Sequence, residues 1–147
     1  MTTQPINFDS PAVQSYLTIL QSVITRMATN SSNSKTWCVS LVSAIVVIVA
    51  DKGKPSYVWI SIVPIVLFFL LDAYYLSLER AFRDIYNKFI RKIHSSTATV
   101  DDVFLITPRF GLRTTSLSIL MAGSSIAIWP FYGLLIIMLV IVRAWLI

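Results

Sequence analysis

The chain has 147 residues, of which 56% are hydrophobic and only 13% are charged, and its mean hydropathy is +0.74. Soluble domains are about 25% charged, and one domain of this length could not bury so much apolar surface, so the composition predicts a membrane protein. The net charge of +5 does not indicate nucleic-acid binding, because most basic residues cluster between Arg80 and Arg113 or flank apolar runs. The one cysteine, Cys38, excludes an intramolecular disulfide. Residues 1–14 lack a basic region followed by an apolar core, so we expect no cleaved signal peptide.

The first predicted element is an amphipathic helix over residues 11–29. Asp9 and Ser10 are candidate N-caps, and Pro11 suits the first helical position. Apolar residues recur at spacings of three and four, and the polar face carries one ion, Arg26. A helix lying on anionic lipid normally carries several cations, so this face favours packing against protein. The polar stretch "TNSSNSK", residues 29–35, is then predicted to be a linker or a helix break.

Two apolar runs follow, and we predict that both cross the membrane. The first, residues 36–50, is about 22 Å long as a helix, and the second covers residues 57–76. Gly53 and Pro55 predict a tight turn over residues 51–56, which makes the two crossings an antiparallel hairpin. Pro64 is expected to kink the second crossing.

The next segment, residues 78–94, has an apolar stripe opposite charged faces and predicts a cytosolic amphipathic helix. Residues 95–112 are expected to form a loop, with one short strand at residues 103–106.

The C-terminal run from Thr114 to Ile147 carries a single charge, Arg143. One straight helix would be about 50 Å long, too long for a bilayer core of about 30 Å. Pro130 and Gly133 favour a turn at residues 129–133, between crossings at 114–128 and 133–147, over a single kinked helix. The predicted fold is thus an all-α membrane protein with four transmembrane helices in two antiparallel hairpins, plus the two amphipathic helices.

The distribution of basic residues predicts the orientation. Segments 1–35 and 77–113 together hold nine of the twelve Lys and Arg residues, so both are expected on the cytoplasmic side of the inner (plasma) membrane. Lys52 and Lys54 oppose this assignment. The second hairpin would return Arg143 to the cytoplasmic interface, with both termini in the cytoplasm.

Little in the sequence favours catalysis, a metal site or a cofactor, and we do not expect an enzyme. Asp72 is a carboxylate in an apolar context, which by default marks a pathway or a partner, although it could instead be half-solvated and paired with Arg80 or Arg83. Small residues recur on the first and third predicted crossings and allow close helix packing, subunit contacts or a narrow pore. They include Ser40, Ser43, Ser118, Ala122 and Ser125.

The order of a first helix, a tight two-helix hairpin and the charged helix "SLERAFRDIYNKFIRKI" resembles the SLATT-type two-crossing proteins and similar small membrane subunits of bacterial anti-phage systems. The resemblance covers residues 11–94, and the second hairpin is an addition to that layout. It implies a homo-oligomeric membrane component that perturbs the bilayer or is held silent by a cytosolic sensor.

Two functions are therefore expected. The first is a pore-forming or membrane-disrupting effector. The alternative is a non-conducting scaffold or sensor that recruits a cytosolic protein through four basic residues, namely Arg83, Lys88, Arg91 and Lys92.

Overall fold

The computed structural model describes residues 10–104, 119 and 121–145. Helix α1 spans Pro11–Lys52, α2 spans Ile62–His94 and α3 spans Trp129–Trp145, and two 3-10 helices cover Pro55–Ser61 and Val100–Asp102. These described residues contain no strand, which confirms the all-α class over this part of the chain. In the strand predicted at 103–106, Val103 has an extended backbone but belongs to no strand, Phe104 has a positive φ of 65°, and the other two residues lie outside the described ones.

Helix α1 begins as the sequence predicts. The Ser10 hydroxyl accepts a hydrogen bond from the Val13 backbone N–H at 3.4 Å, and Pro11 occupies the first turn, where its missing N–H costs nothing. The helix ends at Gly53, whose φ of 59° lies in the left-handed region that glycine adopts without steric cost. The tight turn expected around Gly53 follows.

The predicted break at residues 29–35 is wrong, because α1 continues through it without interruption. Two of its serines, Ser31 and Ser34, are buried. The Ser34 and Thr36 hydroxyls donate to the carbonyls of Asn30 and Ser32, four residues earlier, so these polar groups are satisfied within the helix. Weak local helix propensity is therefore overridden by packing, and α1 reaches about 63 Å.

Helix α2 is likewise continuous where a crossing and a separate cytosolic helix were predicted. Pro64 lies in the first turn of α2, directly after the 3-10 helix. The kink predicted in the middle of a crossing is therefore wrong, since a proline in the first turn removes no intrahelical hydrogen bond.

Helices α1 and α2 pack antiparallel along their length. Near the start of α1, Tyr16 meets Phe89 of α2 edge to face, with ring centroids 4.8 Å apart. Midway, Ser31 contacts Asp72, and the chain reverses at Gly53.

The two helices bury two separate hydrophobic clusters. We name the part built from residues 11–30 and 78–104 the stalk, and its cluster contains Tyr16, Leu20, Phe89, Ile93 and Ala98. We name the part built from residues 36–75 and 121–145 the apolar bundle, and its cluster includes Cys38, Val42, Ile65, Ala122 and Leu139.

Helix α3 completes the apolar bundle and departs from prediction in position and direction. The break before it lies at residues 124–128, whereas Pro130 and Gly133 are helical. At its start Tyr132 donates to the Phe68 carbonyl at 3.1 Å, and at its end the Arg143 guanidinium lies 5.0 Å from the Trp59 ring centroid. Helix α3 thus runs from the stalk toward the Gly53 turn, so the predicted return of Arg143 to the stalk side is wrong.

Exposed apolar side chains form a belt around the bundle. Among the described residues, every large hydrophobic residue that is exposed lies within 37–74 or 121–145, except Ile19, Val100 and Phe104. Within the described residues, two helical stretches, Pro11–Lys52 and Pro55–His94, are long and apolar enough to cross a membrane, and Trp129–Trp145 is a shorter apolar helix. Six of the fifteen residues of the predicted crossing at 114–128 lie outside the described residues, and the described residues 124–128 are not helical.

Candidate functional site

A cluster of polar side chains lies buried where the stalk meets the apolar bundle. Its centre is Asp72 of α2, whose side chain is wholly inaccessible. The Lys35 ammonium of α1 lies 2.6 Å from Asp72 Oδ2, and the Ser31 hydroxyl donates to Asp72 Oδ1. The Lys35 ammonium also donates to the Ser31 hydroxyl at 3.3 Å. One carboxylate is thus held by a cation and a hydroxyl from the facing helix.

Helix geometry explains how α1 supplies both partners. Ser31 and Lys35 are four residues apart, so they lie one above the other on the same face, which continues into Cys38 and Val42 of the bundle cluster. The Lys35 side chain is 23% exposed. Lys35 therefore keeps some contact with solvent, whereas the Asp72 carboxylate has none.

A third helix closes the cluster on the bundle side. The Tyr132 hydroxyl of α3 donates to the carbonyl of Phe68, one helical turn before Asp72, and lies close enough to Asp72 to interact with its charge. The Tyr132 ring packs edge to face on Phe69 at 5.5 Å between centroids. Three helices therefore meet at one polar layer.

This arrangement fastens the helices together. A carboxylate out of water is costly alone, and the cost is offset only where a counter-ion and further donors reach it, as Lys35 and Ser31 do. Any vertical slip of α1 against α2 would separate these groups, so the pair fixes the helix register. In the described part of the chain, no group of three or more His, Cys, Asp or Glu side chains could hold a metal ion.

The pairing predicted for Asp72 is wrong. Arg80 donates instead to the Ser125 hydroxyl at 2.7 Å, and Arg83 pairs with Glu79 at 2.6 Å. Sequence reasoning missed Lys35 because it placed residues 29–35 in a linker. If residues 29–35 are treated as helical, residues 31, 35, 38 and 42 fall on one face, and this pattern would have identified Lys35 as a residue that faces the other helices.

The structure does not bring the predicted small residues into one channel. Ser40 and Ser43 face away from the bundle interior on α1 and are exposed, whereas Ala122 is fully buried against the bundle cluster. Ser125 is half-buried and accepts from Arg80. Ser118 lies outside the described residues.

The predicted docking residues lie on the stalk, and three of the four pair with carboxylates. Lys88 lies 2.6 Å from Asp84, and Arg83 pairs with Glu79. Lys92 pairs with Asp102 at 2.6 Å. The remaining residue, Arg91, is exposed. Their charge is therefore largely compensated within the stalk.

The ion pair between Lys92 and Asp102, at the end of the stalk, also shifts the pKa of Asp102. The hydrogen bond from the Lys92 ammonium lowers the pKa of Asp102 below its ordinary value, and donation from the Thr99 backbone and hydroxyl lowers it further. Burial acts in the opposite direction and is outweighed. Asp102 is therefore ionised at neutral pH and closes the 3-10 helix against α2.

Comparisons of the chain with protein-family models, with curated proteins and with solved structures give no match.

Proposed function

We propose that the chain is a homo-oligomeric integral membrane protein whose apolar bundle lies in the bilayer and whose stalk projects from it. The belt of exposed apolar side chains supports this, because residues 37–52 of α1 and the whole of α3 are each about 25 Å long, close to a hydrocarbon core of about 30 Å. Helix α1 is about twice that thickness. Its first half must therefore stand outside the membrane together with the end of α2.

The direction of α3 favours three crossings in place of four. It starts beside Phe68 and ends beside Trp59, so its two ends lie on opposite sides of a membrane that α1 and α2 cross. Of the ten basic residues that the structure describes, six lie in the stalk and Lys35 lies at its boundary with the bundle, whereas Lys52, Lys54 and Arg143 lie at the other end. This bias favours a stalk in the cytoplasm and a Gly53 turn on the outer side.

One observation supports the proposal of a homo-oligomer: a stripe of small and hydroxyl-bearing residues lies on the exposed side of α1. Its members, within the bundle, are Thr36, Ser40, Ser43 and Ala44, and all four are exposed. By helix periodicity they lie opposite Cys38 and Val42, which pack into the bundle. In lipid, small residues spaced four apart allow close helix association, so this stripe favours contact with a second copy.

The activity that we propose for this oligomer is permeabilisation of the bilayer, as an effector of a bacterial defence system. Copies that meet through α1 would bring several hydroxyl-bearing faces together around one axis, where they could line a path for water and ions. The resemblance in layout to small anti-phage membrane subunits supports the same role.

The direct test is membrane potential in cells that overproduce the protein. We expect depolarisation by the unchanged chain and its loss in the Ser40→Leu/Ser43→Leu variant, because leucine fills the close contact and removes the hydroxyls. Leu41→Phe is the matched control, since it enlarges an exposed side chain of α1 outside the stripe and should still depolarise. An unchanged potential with the protein fully inserted would contradict the pore.

A second function, a scaffold or sensor that binds a cytosolic protein, is favoured by one feature of the stalk. An open groove of about 820 Å³ runs along the polar face of α1 beside Tyr86 of α2, and its other lining residues include Thr18, Gln21, Ser22 and Arg26. Arg26 is the one charged residue among the groove's lining residues, and a surface with so few cations suits a protein better than an anionic lipid surface.

This alternative predicts that Ser22→Lys/Thr25→Lys abolishes co-purification of a stoichiometric cytosolic partner. Asn87→Lys, on an exposed position of α2 outside the groove, should leave the partner bound. Equal recovery of the partner with both variants would exclude the groove as its binding site.

A further inference from the structure

The Gly53 end of the bundle carries cations that no carboxylate neutralises. Lys52, Lys54 and Arg143 form no ion pair within the described part of the chain, whereas four cations at or near the stalk each have a carboxylate partner at 2.6 Å, namely Lys35, Arg83, Lys88 and Lys92. Asp51 is the carboxylate nearest in sequence, and it is exposed. Three cations and one anion leave this end with a charge of +2.

Two of the three cations are held by aromatic rings. The Lys54 ammonium lies 5.6 Å from the Tyr57 ring centroid, and the Arg143 guanidinium lies 5.0 Å from that of Trp59. A guanidinium stacked on a ring keeps its N–H groups free in its own plane, where they match two oxygens of a phosphate. Arg143 Nε is shielded from solvent and has no acceptor. An acceptor for it is therefore missing from the described protein.

The ends of the helices account for only part of this charge. Helices α1 and α3 both finish here, and their carbonyl ends favour cations such as Lys52 and Arg143. Lys54 lies beyond the end of α1, in the turn, and the Gly53 N–H already bonds the Ala50 carbonyl. The dipoles thus explain the sign of the charge but supply no acceptor for the Arg143 Nε.

We propose that this end binds the phosphate of an anionic phospholipid, with Lys52, Lys54 and Arg143 as its cations and Tyr57 and Trp59 at the level of the headgroups. The proposal rests on the bundle's lying in a bilayer, where tyrosine and tryptophan prefer the interface and basic side chains near helix ends meet lipid phosphates. It is independent of whether the oligomer conducts.

The test is native mass spectrometry of the full chain in mild detergent with either phosphatidylglycerol or phosphatidylcholine of the same acyl chains. We expect phosphatidylglycerol to be retained preferentially, and retention to fall about fivefold for each cation removed in Lys52→Gln, Lys54→Gln and Arg143→Gln. The matched control removes the same charge from the stalk through Arg26→Gln, Lys88→Gln and Arg91→Gln, and should retain the lipid.

Equal retention of phosphatidylglycerol by the variants of the Gly53 end and by the stalk control would overturn the proposal. So would loss of the bound lipid on addition of millimolar inorganic phosphate, because the site would then accept any phosphate. Lys54→Gln alone, in an exposed turn outside the helices, keeps the test valid if the triple variant fails to fold. Recovery of every variant in the membrane fraction separates failure of this site from failure of membrane insertion.

Discussion

Asp72 shows how one buried charge can hold two long helices in register. It is fully inaccessible, yet its oxygens are met by the Lys35 ammonium and the Ser31 hydroxyl. Asp72 and Lys35 differ in their access to water, since the Lys35 side chain is 23% exposed. Removing Lys35 would leave a sealed carboxylate without its cation, whereas removing Asp72 would leave an ammonium that still has access to solvent.

We predict that Lys35→Met destabilises the fold more than Asp72→Asn does. Lys35→Met leaves a sealed carboxylate without a counter-ion, at a cost of about 3–5 kcal/mol. Asp72→Asn costs less because the remaining ammonium can turn toward solvent. The double variant should cost less than the sum of the two, with a coupling of about 1–3 kcal/mol.

Denaturant unfolding of the purified chain in detergent measures all three free energies. The exposed pair Lys88 and Asp84 supplies the control, because the same cycle there should show a coupling below about 1 kcal/mol. Additive effects at Lys35 and Asp72 would show that the ion pair does not hold α1 to α2.

At the scale of the elements, the chain is simpler than its sequence indicates. The sequence correctly predicts the helical class, the start of α1 at Ser10 and Pro11, and the turn at Gly53, because each depends on a local signal. The linker predicted at 29–35 is wrong because its serines are buried against α2 or form hydrogen bonds within α1. Tertiary packing of this kind has no signal in the local sequence.

The polar cluster could be predicted only in part for the same reason. Asp72 stands out in the sequence as a carboxylate among apolar residues, but its partner lies 37 positions earlier on another helix. Arg80 and Arg83 are nearer in sequence, but Arg83 pairs with Glu79 on its own helix and Arg80 donates to Ser125, which is also distant in sequence. Long-range pairing depends on the register of α1 against α2, which the apolar pattern of either helix alone does not fix.

The end of the stalk provides a prediction that depends on pH. The pKa of Asp102 is lowered in the folded chain, so its stabilising contribution is complete above the ordinary aspartate pKa of about 3.9 and is lost as the pH falls below it. Asp102→Asn should therefore lower stability at pH 7 by about 1 kcal/mol, through loss of the Lys92 pair and the Thr99 cap.

Thermal unfolding followed by circular dichroism at pH 7 and at pH 2.5 checks this. The difference between the unchanged chain and Asp102→Asn should shrink at the lower pH. Asp101→Asn, at the exposed neighbouring position, should have little effect at either pH. A difference that persists undiminished at pH 2.5 would show that the carboxylate charge is not responsible.

At the scale of the whole molecule, the two halves of the α1/α2 pair carry different surfaces. The stalk exposes polar and charged residues, and the bundle exposes its apolar belt, with the Asp72 cluster at the boundary. This division is compatible with the proposed membrane topology although the two helices are about 63 and 50 Å long, since only the apolar half of each would then lie in lipid.

The proposed topology has three crossings, with the stalk on one side of the membrane and the end of α3 on the other. Single-cysteine labelling with a membrane-impermeant reagent tests it in a Cys38→Ser background, using Asn87→Cys on the stalk, Ser56→Cys at the turn and Ala144→Cys near the end of α3, all at exposed positions. We expect labelling from outside intact cells at the turn and at the end of α3, and labelling on the stalk only after lysis. Labelling of Ala144→Cys only after lysis, together with Asn87→Cys, would contradict the three-crossing account.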